Sequence, residues 1–176
     1  LFRKHGKTIF PATTCIELTP DNIDNTIALI KTKIDNTPKA LTVTVYNNKG
    51  GVGKTWFSAT LCHAIAKSGS RVLLFDGDLG LANVDIQLGL TPKRDLGAVV
   101  EGRISLQGAA ERFDTGGFDI IAGRSGTGSL ASLPSQRLAG LRNELLDLAR
   151  NYDWVILDMG AGVDRTVRQL AGPAGI

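Results

Sequence analysis

The chain contains 176 residues, of which 43% are hydrophobic and 21% are charged, and its net charge is +3. These values fit one domain with a buried core and exclude a globally disordered chain, while the small basic excess permits contact with nucleic acid or an anionic membrane without requiring it. No apolar run approaches the length that spans a bilayer, the first residues lack a secretory signal pattern, and Cys15 and Cys62 lack metal-ligand or disulfide-framework spacing. We therefore expect a cytoplasmic protein with reduced thiols.

Residues 1–40 contain a single glycine, Gly6, although the whole chain carries 21. A capping hydroxyl at Thr19, followed by Pro20, marks a helix start. Beyond it, isoleucines recur on one helical face, at Ile23, Ile27, Ile30 and Ile34. We predict that residues 1–40 form an N-terminal extension with one amphipathic helix, which packs on the following domain rather than binding a membrane or a partner.

A glycine-rich segment, Lys-Gly-Gly-Val-Gly-Lys-Thr over residues 49–55, follows an apolar run and precedes a helix-like run. Its glycines can take positive φ and let the backbone approach an anion, while the N–H groups of the helix start add partial positive charge. We predict that Lys54 reaches the outer phosphates of a nucleotide and that Thr55 binds Mg²⁺ through its hydroxyl. A plain glycine-rich turn is the alternative, which the order of strand, glycines, Lys-Thr and helix disfavours. The predicted nucleotide-binding residues are Gly50, Gly51, Val52, Gly53, Lys54, Thr55 and Trp56.

The helix after this loop should run over residues 55–67 and end at Gly69. The next apolar run, residues 71–75, has the pattern of a strand buried on both faces, and the order strand, loop, helix, strand implies a right-handed crossover in a parallel sheet. Three acids and an amide follow, at the strand end where such sheets bind ligands: Asp76, Asp78, Asn83 and Asp85. They are either turn and cap residues or a metal site, and beside the phosphate loop we favour one acid near Mg²⁺ or the attacking water.

The middle of the chain carries weaker patterns. Residues 90–113 are predicted to be loop and short helix, with Thr91 and Pro92 as a helix start, and residues 118–121 a short strand. A glycine cluster at residues 123–128 is interpreted as a surface loop rather than a second anion loop, because it lacks Lys-Ser/Thr and a clear helix start.

The last clear pattern is an amphipathic helix from Pro134 through Leu148, followed by a buried strand over residues 154–157 that ends in Asp158. An acid at this place orients Mg²⁺ or its water in phosphoryl-transfer sites. The alternative is an aspartate that caps the following turn, and the presence of the phosphate loop favours the first interpretation.

Three segments resemble the ParA/MinD family of ATPases, over a region of about residues 41–170. They correspond to the deviant Walker A loop, to switch I and to the Walker B/switch II region, at residues 49–55, 76–85 and 155–162. From about residue 56 onward the chain looks closest to the MinD-like flagellar-number regulators FlhG and FleN, whereas residues 1–55 look more like a partition-type ParA. We therefore hypothesise that the two parts have different origins, joined within the loop.

The resemblance implies an α/β P-loop NTPase: a three-layer sandwich with a mainly parallel sheet, formed by residues 41–176. It implies an ATP- and Mg²⁺-dependent homodimer that sandwiches two nucleotides, hydrolyses ATP slowly and acts in flagellar number or placement, septum placement or DNA partition. Lys49 would reach the partner's nucleotide, Lys54 would bind the β and γ phosphates, and Asp78 would position the attacking water. The implied metal residues are Thr55, Asp78 and Asp158, the last acting through water.

The resemblance also leaves alternatives open. A regulatory protein partner, a non-specific DNA surface and a membrane surface are all compatible with it, with peripheral association of a cytoplasmic protein with membrane or nucleoid. Trp56 stands where many relatives have Thr or Ser, which would remove one hydroxyl contact to the α-phosphate. The chain ends before the region that grips adenine in relatives, so we expect a C-terminally truncated domain. The alternative functions are a truncated or fused nucleotide-binding fragment with little activity and an ATP-dependent metabolic enzyme on the same scaffold.

Overall fold

The computed structural model describes most of the predicted domain, namely residues 41–47, 51–78, 84–123, 130–161 and 170. The predicted N-terminal extension with its helix lies outside the described residues. The same holds for Lys49, Gly50 and Asn83, and for most of the glycine cluster that begins at residue 123.

Within the described residues, five strands form one sheet in the order β1-β5-β2-β4-β3. They are β1 (Leu41–Asn47), β2 (Val72–Asp76), β3 (Glu111–Phe113), β4 (Phe118–Ile121) and β5 (Trp154–Ala161). Strands β1, β5, β2 and β4 run parallel, whereas β3 is antiparallel to β4. The predicted α/β fold with a mainly parallel sheet is confirmed.

The described α-helices are α1 (Lys54–Ala66), α2 (Val84–Leu88), α3 (Leu96–Val100), α4 (Leu106–Ala109) and α5 (Ser135–Ala149). Helix α1 confirms the helix predicted after the glycine-rich loop, and α5 confirms the helix that the apolar periodicity after Pro134 predicts. Gly69, shortly after α1, has φ 88°, a left-handed conformation that ends a helix. No helix in this part of the chain is both long and apolar enough to cross a bilayer.

Two apolar clusters cover the two faces of the sheet. Successive residues of a strand point to opposite faces, so Leu73 packs in a cluster with α3, α4 and α5, while its neighbour Leu74 packs in a second cluster with α1. Cys62 of α1 is fully buried in the second cluster as a free thiol, and this burial raises its pKa. The clusters make three layers, helix, sheet and helix, as predicted.

The region between β2 and α5 differs from the prediction in two respects. The helix start expected at Thr91 and Pro92 is wrong: α3 begins at Leu96, because the side chain of Asp95 accepts the backbone N–H of Ala98 at 2.8 Å and so caps the helix. The short edge strand β3 has no counterpart in the prediction, since three residues are too few to show a periodic pattern.

The prediction that the strand ends at Asp158 is wrong, because β5 continues to Ala161. The extension is stabilised by pairing with β1, where Asn47 is the partner of Ala161, and by burial of Met159. Asp158 therefore lies inside β5, between Val45 of β1 and Asp76 of β2, rather than at the tip of the strand.

Candidate functional site

The glycine-rich loop leads from β1 to the first turn of α1. Gly51 and Gly53 have φ 70° and 86°, and a Cβ added at either one would meet no atom within 4 Å. These positions need glycine for its left-handed backbone rather than for space. Gly53 is the N-cap of α1, and no side chain caps that helix. The first N–H groups of α1 therefore face the loop, where an anion can accept them.

The side chains of the loop divide into two groups. Lys54 and Thr55 are half-buried, whereas Val52 and Trp56 are exposed, Trp56 to 63%. The side chains of Lys54 and Thr55 therefore lie close to the protein surface, whereas those of Val52 and Trp56 point into solvent. Lys49 and Gly50, the other predicted loop residues, lie outside the described part of the chain.

Two carboxylates lie side by side beneath the loop. Asp76 and Asp158 are Cα partners on the adjacent parallel strands β2 and β5, and they are 1% and 2% exposed. A backbone hydrogen bond from Gly77 N–H to the Asp158 carbonyl, at 2.8 Å, holds the strands together at this point. Burial of two acids is costly unless their charge is balanced, so the pair indicates a site for a cation.

The pKa values of the pair reflect this burial. Burial, and after it the charge of Asp158, raises the pKa of Asp76 to about 7. Burial raises the pKa of Asp158 to about 6. The hydroxyl of Thr55 and the ammonium group of Lys54 lower this pKa and so partly offset the effect of burial. Asp158 therefore interacts with both residues that the sequence assigns to the nucleotide.

Asp78 joins the same site from the segment after β2. Its backbone N–H donates to Asp76 Oδ1 at 3.1 Å. A Cβ added at Gly160 of β5 would lie 3.0 Å from Asp78 Cγ and Oδ1, so the carboxyl group of Asp78 packs directly over Gly160. Only a glycine leaves this space, and the predicted catalytic acid is thereby placed two residues along β5 from Asp158.

These residues fit Mg²⁺ of the kind that nucleotides bring. Among the described residues, Asp76 Oδ2 and Asp158 Oδ1 are buried without a hydrogen-bond partner, and Thr55 adds a hydroxyl oxygen. In the same part of the chain, no three Asp, Glu, His or Cys side chains converge as a metal cluster. Mg²⁺ characteristically takes one or two protein oxygens and completes its shell with water and phosphate, so the donor set suits it.

Of the predicted site residues, the structure brings together Lys54, Thr55, Asp78 and Asp158. Asp85 is not among them, because its carboxylate accepts the neighbouring N–H of Ile86 at 2.8 Å. The predicted site set omits Asp76, although its place directly after a buried strand was a usable signal. It also omits Ser58, a fully buried polar residue of α1 that the sequence does not distinguish from other helix positions.

A family model described as the CobQ/CobB/MinD/ParA nucleotide binding domain matches residues 43–172. The antiactivator FleN of Pseudomonas aeruginosa is 45% identical over 125 residues, which are 71% of this chain and 44% of FleN. The chain thus spans about half the length of the curated relatives it matches. The family match crosses residue 55, and the hypothesis of two origins joined in the loop stays a prediction.

Solved structures that share this fold include two with a bound nucleotide. The septum site-determining protein MinD of Pyrococcus horikoshii, complexed with Mg-ADP, has a TM-score of 0.61 at 25% identity, over 73% of this chain and 52% of that one. Cobyrinic acid a,c-diamide synthase of Mycobacterium smegmatis, with a bound ATP analogue and magnesium, has a TM-score of 0.63 at 26% identity, over 74% of this chain and 55% of that one. Both relatives hold a nucleotide together with Mg²⁺.

Proposed function

The chain belongs to the CobQ/CobB/MinD/ParA nucleotide-binding family, and from that membership we propose that it binds ATP with Mg²⁺, hydrolyses it slowly and uses it to control dimerisation. One observation carries the proposal: the uncapped N-terminus of α1, with Lys54 and Thr55, meets the buried carboxylate of Asp158. Partial positive charge, an ammonium group, a hydroxyl and a carboxylate are the groups that a nucleotide with a divalent cation needs.

Each residue then has a role. The N–H groups of the loop and of α1 bind phosphate oxygens, and the ammonium group of Lys54 binds the β and γ phosphates. Thr55 and Asp158 would hold Mg²⁺, which would neutralise charge on the phosphate oxygens. Asp78, held over Gly160, orients the attacking water. Lys49 reaches the nucleotide of a second copy. Positioning and charge stabilisation supply most of such catalysis.

The similarity to the antiactivator FleN, to the flagellum site-determining protein YlxH and to the septum site-determining protein MinD supports a role in spatial organisation, such as flagellar number or placement or septum placement. We propose a nucleotide-dependent homodimer that engages a regulatory protein in the cytoplasm. The net charge of +3 is compatible with transient binding to DNA or to an anionic membrane. Co-sedimentation of the chain with DNA and, separately, with anionic liposomes distinguishes the two.

A second candidate is an ATP-dependent metabolic enzyme, which the structural similarity to the diamide synthase favours. Such an enzyme would consume ATP only with its second substrate, whereas a dimerisation switch turns ATP over alone. A third candidate is a nucleotide-binding fragment with little hydrolysis. Basal ATP turnover and the mass of the particle in solution separate the three.

The deciding experiment uses Asp78→Ala beside the unmodified chain, with Mg²⁺ and either ATP or ADP. We expect the unmodified chain to hydrolyse ATP slowly and to change from monomer to dimer only with ATP. Asp78→Ala should bind ATP normally, lose about 100-fold in turnover and remain a dimer, because the water is no longer positioned. Turnover is measured by phosphate release, and mass by light scattering.

Asp85→Ala is the matched control, since Asp85 lies in the same acidic segment and its carboxylate accepts the neighbouring N–H of Ile86. It should behave like the unmodified chain. A monomeric unmodified chain with every nucleotide would contradict the switch, and binding without turnover would support the fragment.

The close packing of Asp78 on Gly160 gives a separate prediction. Gly160→Ala should displace the carboxyl group of Asp78, since the new Cβ would stand 3.0 Å from Cγ. We expect ATP turnover to fall, by less than the about 100-fold that a misplacement of about 1 Å can cost, with nucleotide affinity retained. Steady-state turnover and equilibrium binding of a fluorescent ADP measure the two effects.

Gly140→Ala provides the comparison. Gly140 lies in α5, and a Cβ there would meet no atom within 4 Å. This variant should leave turnover unchanged and raise the free energy of unfolding by about 0.5–1 kcal/mol, because alanine is the better helix former. Equal turnover in both variants would contradict the role assigned to Asp78.

A further inference from the structure

Ser58 is a serine of α1 whose hydroxyl does not make the hydrogen bond that is common for helix serines. It is 0% exposed, and its Oγ is buried without a hydrogen-bond partner among the described residues. Hydroxyl groups in helices commonly bond to a carbonyl one turn earlier. In α1 the Oγ1 of Thr60 does so with Trp56 at 2.8 Å. The hydroxyl of Ser58 is therefore available to an acceptor outside α1.

The position of Ser58 in α1 indicates which acceptor its hydroxyl faces. It lies three residues after Thr55 and four after Lys54, so the three side chains share one face of α1. That helix packs in one apolar cluster with Trp154 and Ile156 of β5, and Asp158 is the next residue of β5 with the same facing. The face of α1 that carries Ser58 is therefore turned toward Asp158.

Each member of this pair has one buried polar atom without a hydrogen-bond partner among the described residues. Asp158 Oδ1 is buried without a hydrogen bond, as is Ser58 Oγ. The facing of α1 and of β5 places these two atoms on opposing surfaces of the same layer, and the hydroxyl of Ser58 accordingly lowers the pKa of Asp158, which burial raises. A buried donor next to a buried acceptor is stabilised when the two bond.

We propose that Ser58 is a positioning residue, whose hydroxyl donates to Asp158 Oδ1 and holds that carboxylate in the orientation that serves the Mg²⁺–nucleotide site. This inference rests on the proposed function, because it assigns a second hydroxyl of α1 to the same acid. Thr55 approaches Asp158 from the first turn of the helix and Ser58 from the second. Groups that orient a metal-binding residue in this way typically change metal affinity 10- to 100-fold when they are removed.

The test compares Ser58→Ala with the unmodified chain by thermal unfolding and by binding of a fluorescent ADP during Mg²⁺ titration. Without nucleotide, Ser58→Ala should unfold at a lower temperature, because Asp158 Oδ1 is left buried without the donor that the proposal assigns to it. With ADP and EDTA the two chains should respond alike. The Mg²⁺ concentration for half-maximal binding should rise about 10-fold in Ser58→Ala, and Ser58→Cys, which keeps a weak donor, should lie between the two.

Thr60→Ala is the matched control, since Thr60 is an exposed helix hydroxyl with a local partner, and its Mg²⁺ dependence should equal that of the unmodified chain. Asp158→Asn is the positive control and should raise the half-maximal Mg²⁺ concentration. An unchanged value in Ser58→Ala beside a raised value in Asp158→Asn would overturn the role of Ser58 alone. If the unmodified chain shows no Mg²⁺-dependent binding of ADP, the proposed function is itself wrong and this inference with it.

Discussion

Replacing Lys54 with alanine is expected to abolish binding of ATP and ADP, with a loss of affinity of about 100-fold or more. Charge-assisted hydrogen bonds contribute about 1.5–3 kcal/mol each, and the ammonium group of Lys54 should make at least two of them to the phosphates. The intrinsic fluorescence of the chain can report the loss. Trp56 is 63% exposed beside the loop, whereas Trp154 is 3% exposed inside the sheet, so the nucleotide-dependent change should come from Trp56.

Lys67→Ala is the control for Lys54→Ala. Lys67 is an exposed lysine at the opposite end of α1, so its removal changes the net charge equally without touching the loop. It should bind nucleotide like the unmodified chain. If Lys54→Ala binds nucleotide with an affinity within threefold of that of the unmodified chain, the proposal that the phosphate loop forms the nucleotide site is wrong.

Asp76→Asn is expected to stabilise the nucleotide-free chain at alkaline pH. Burial and the nearby charge of Asp158 raise the pKa of Asp76 to about 7, whereas an unfolded aspartate titrates near 3.9. As pH rises from about 4 to about 7, the unfolded chain therefore ionises first, and the free energy of unfolding falls. Above about pH 7 this cost is constant. At pH 8 the variant should be more stable by about 2–4 kcal/mol, at about 1.4 kcal/mol per pKa unit.

Denaturant unfolding at pH 4, 6 and 8 measures this effect, and the gain should shrink toward pH 4. Asp153→Asn should show the opposite dependence. Hydrogen bonds from Arg71, one of them from its backbone N–H at 2.7 Å, lower the pKa of Asp153. That carboxylate stabilises the fold above its unfolded pKa, and the contribution is lost as pH falls, so its removal should matter at pH 8. Parallel profiles for the two variants would contradict the burial argument.

The main elements of the fold were predictable because their signals are local. Continuous apolar runs marked β2 and β5, and an apolar stripe marked α5, each within a few residues of its observed bounds. The loop was predictable because glycine, lysine and threonine at fixed spacing have few alternative uses. The family resemblance based on these segments is confirmed by the family match over residues 43–172.

Two of the errors arose where contacts distant in sequence decide the outcome. Strand β3 forms because β4 offers it an edge, with Phe113 as the partner of Phe118. Strand β5 runs past Asp158 because β1 continues beside it. Neither pairing leaves a mark in the segment itself, so periodicity could not detect them.

The chemistry of the loop could be predicted from its residues alone: glycines that reach left-handed φ, an ammonium group and a hydroxyl at the start of a helix. Tertiary structure alone decided which other groups meet it. Asp76 and Asp158 are 82 residues apart in the chain and become neighbours only because β5 inserts between β1 and β2. The same strand order brings Gly160 under Asp78. Strand order follows from packing of the whole sheet, and no local segment encodes it.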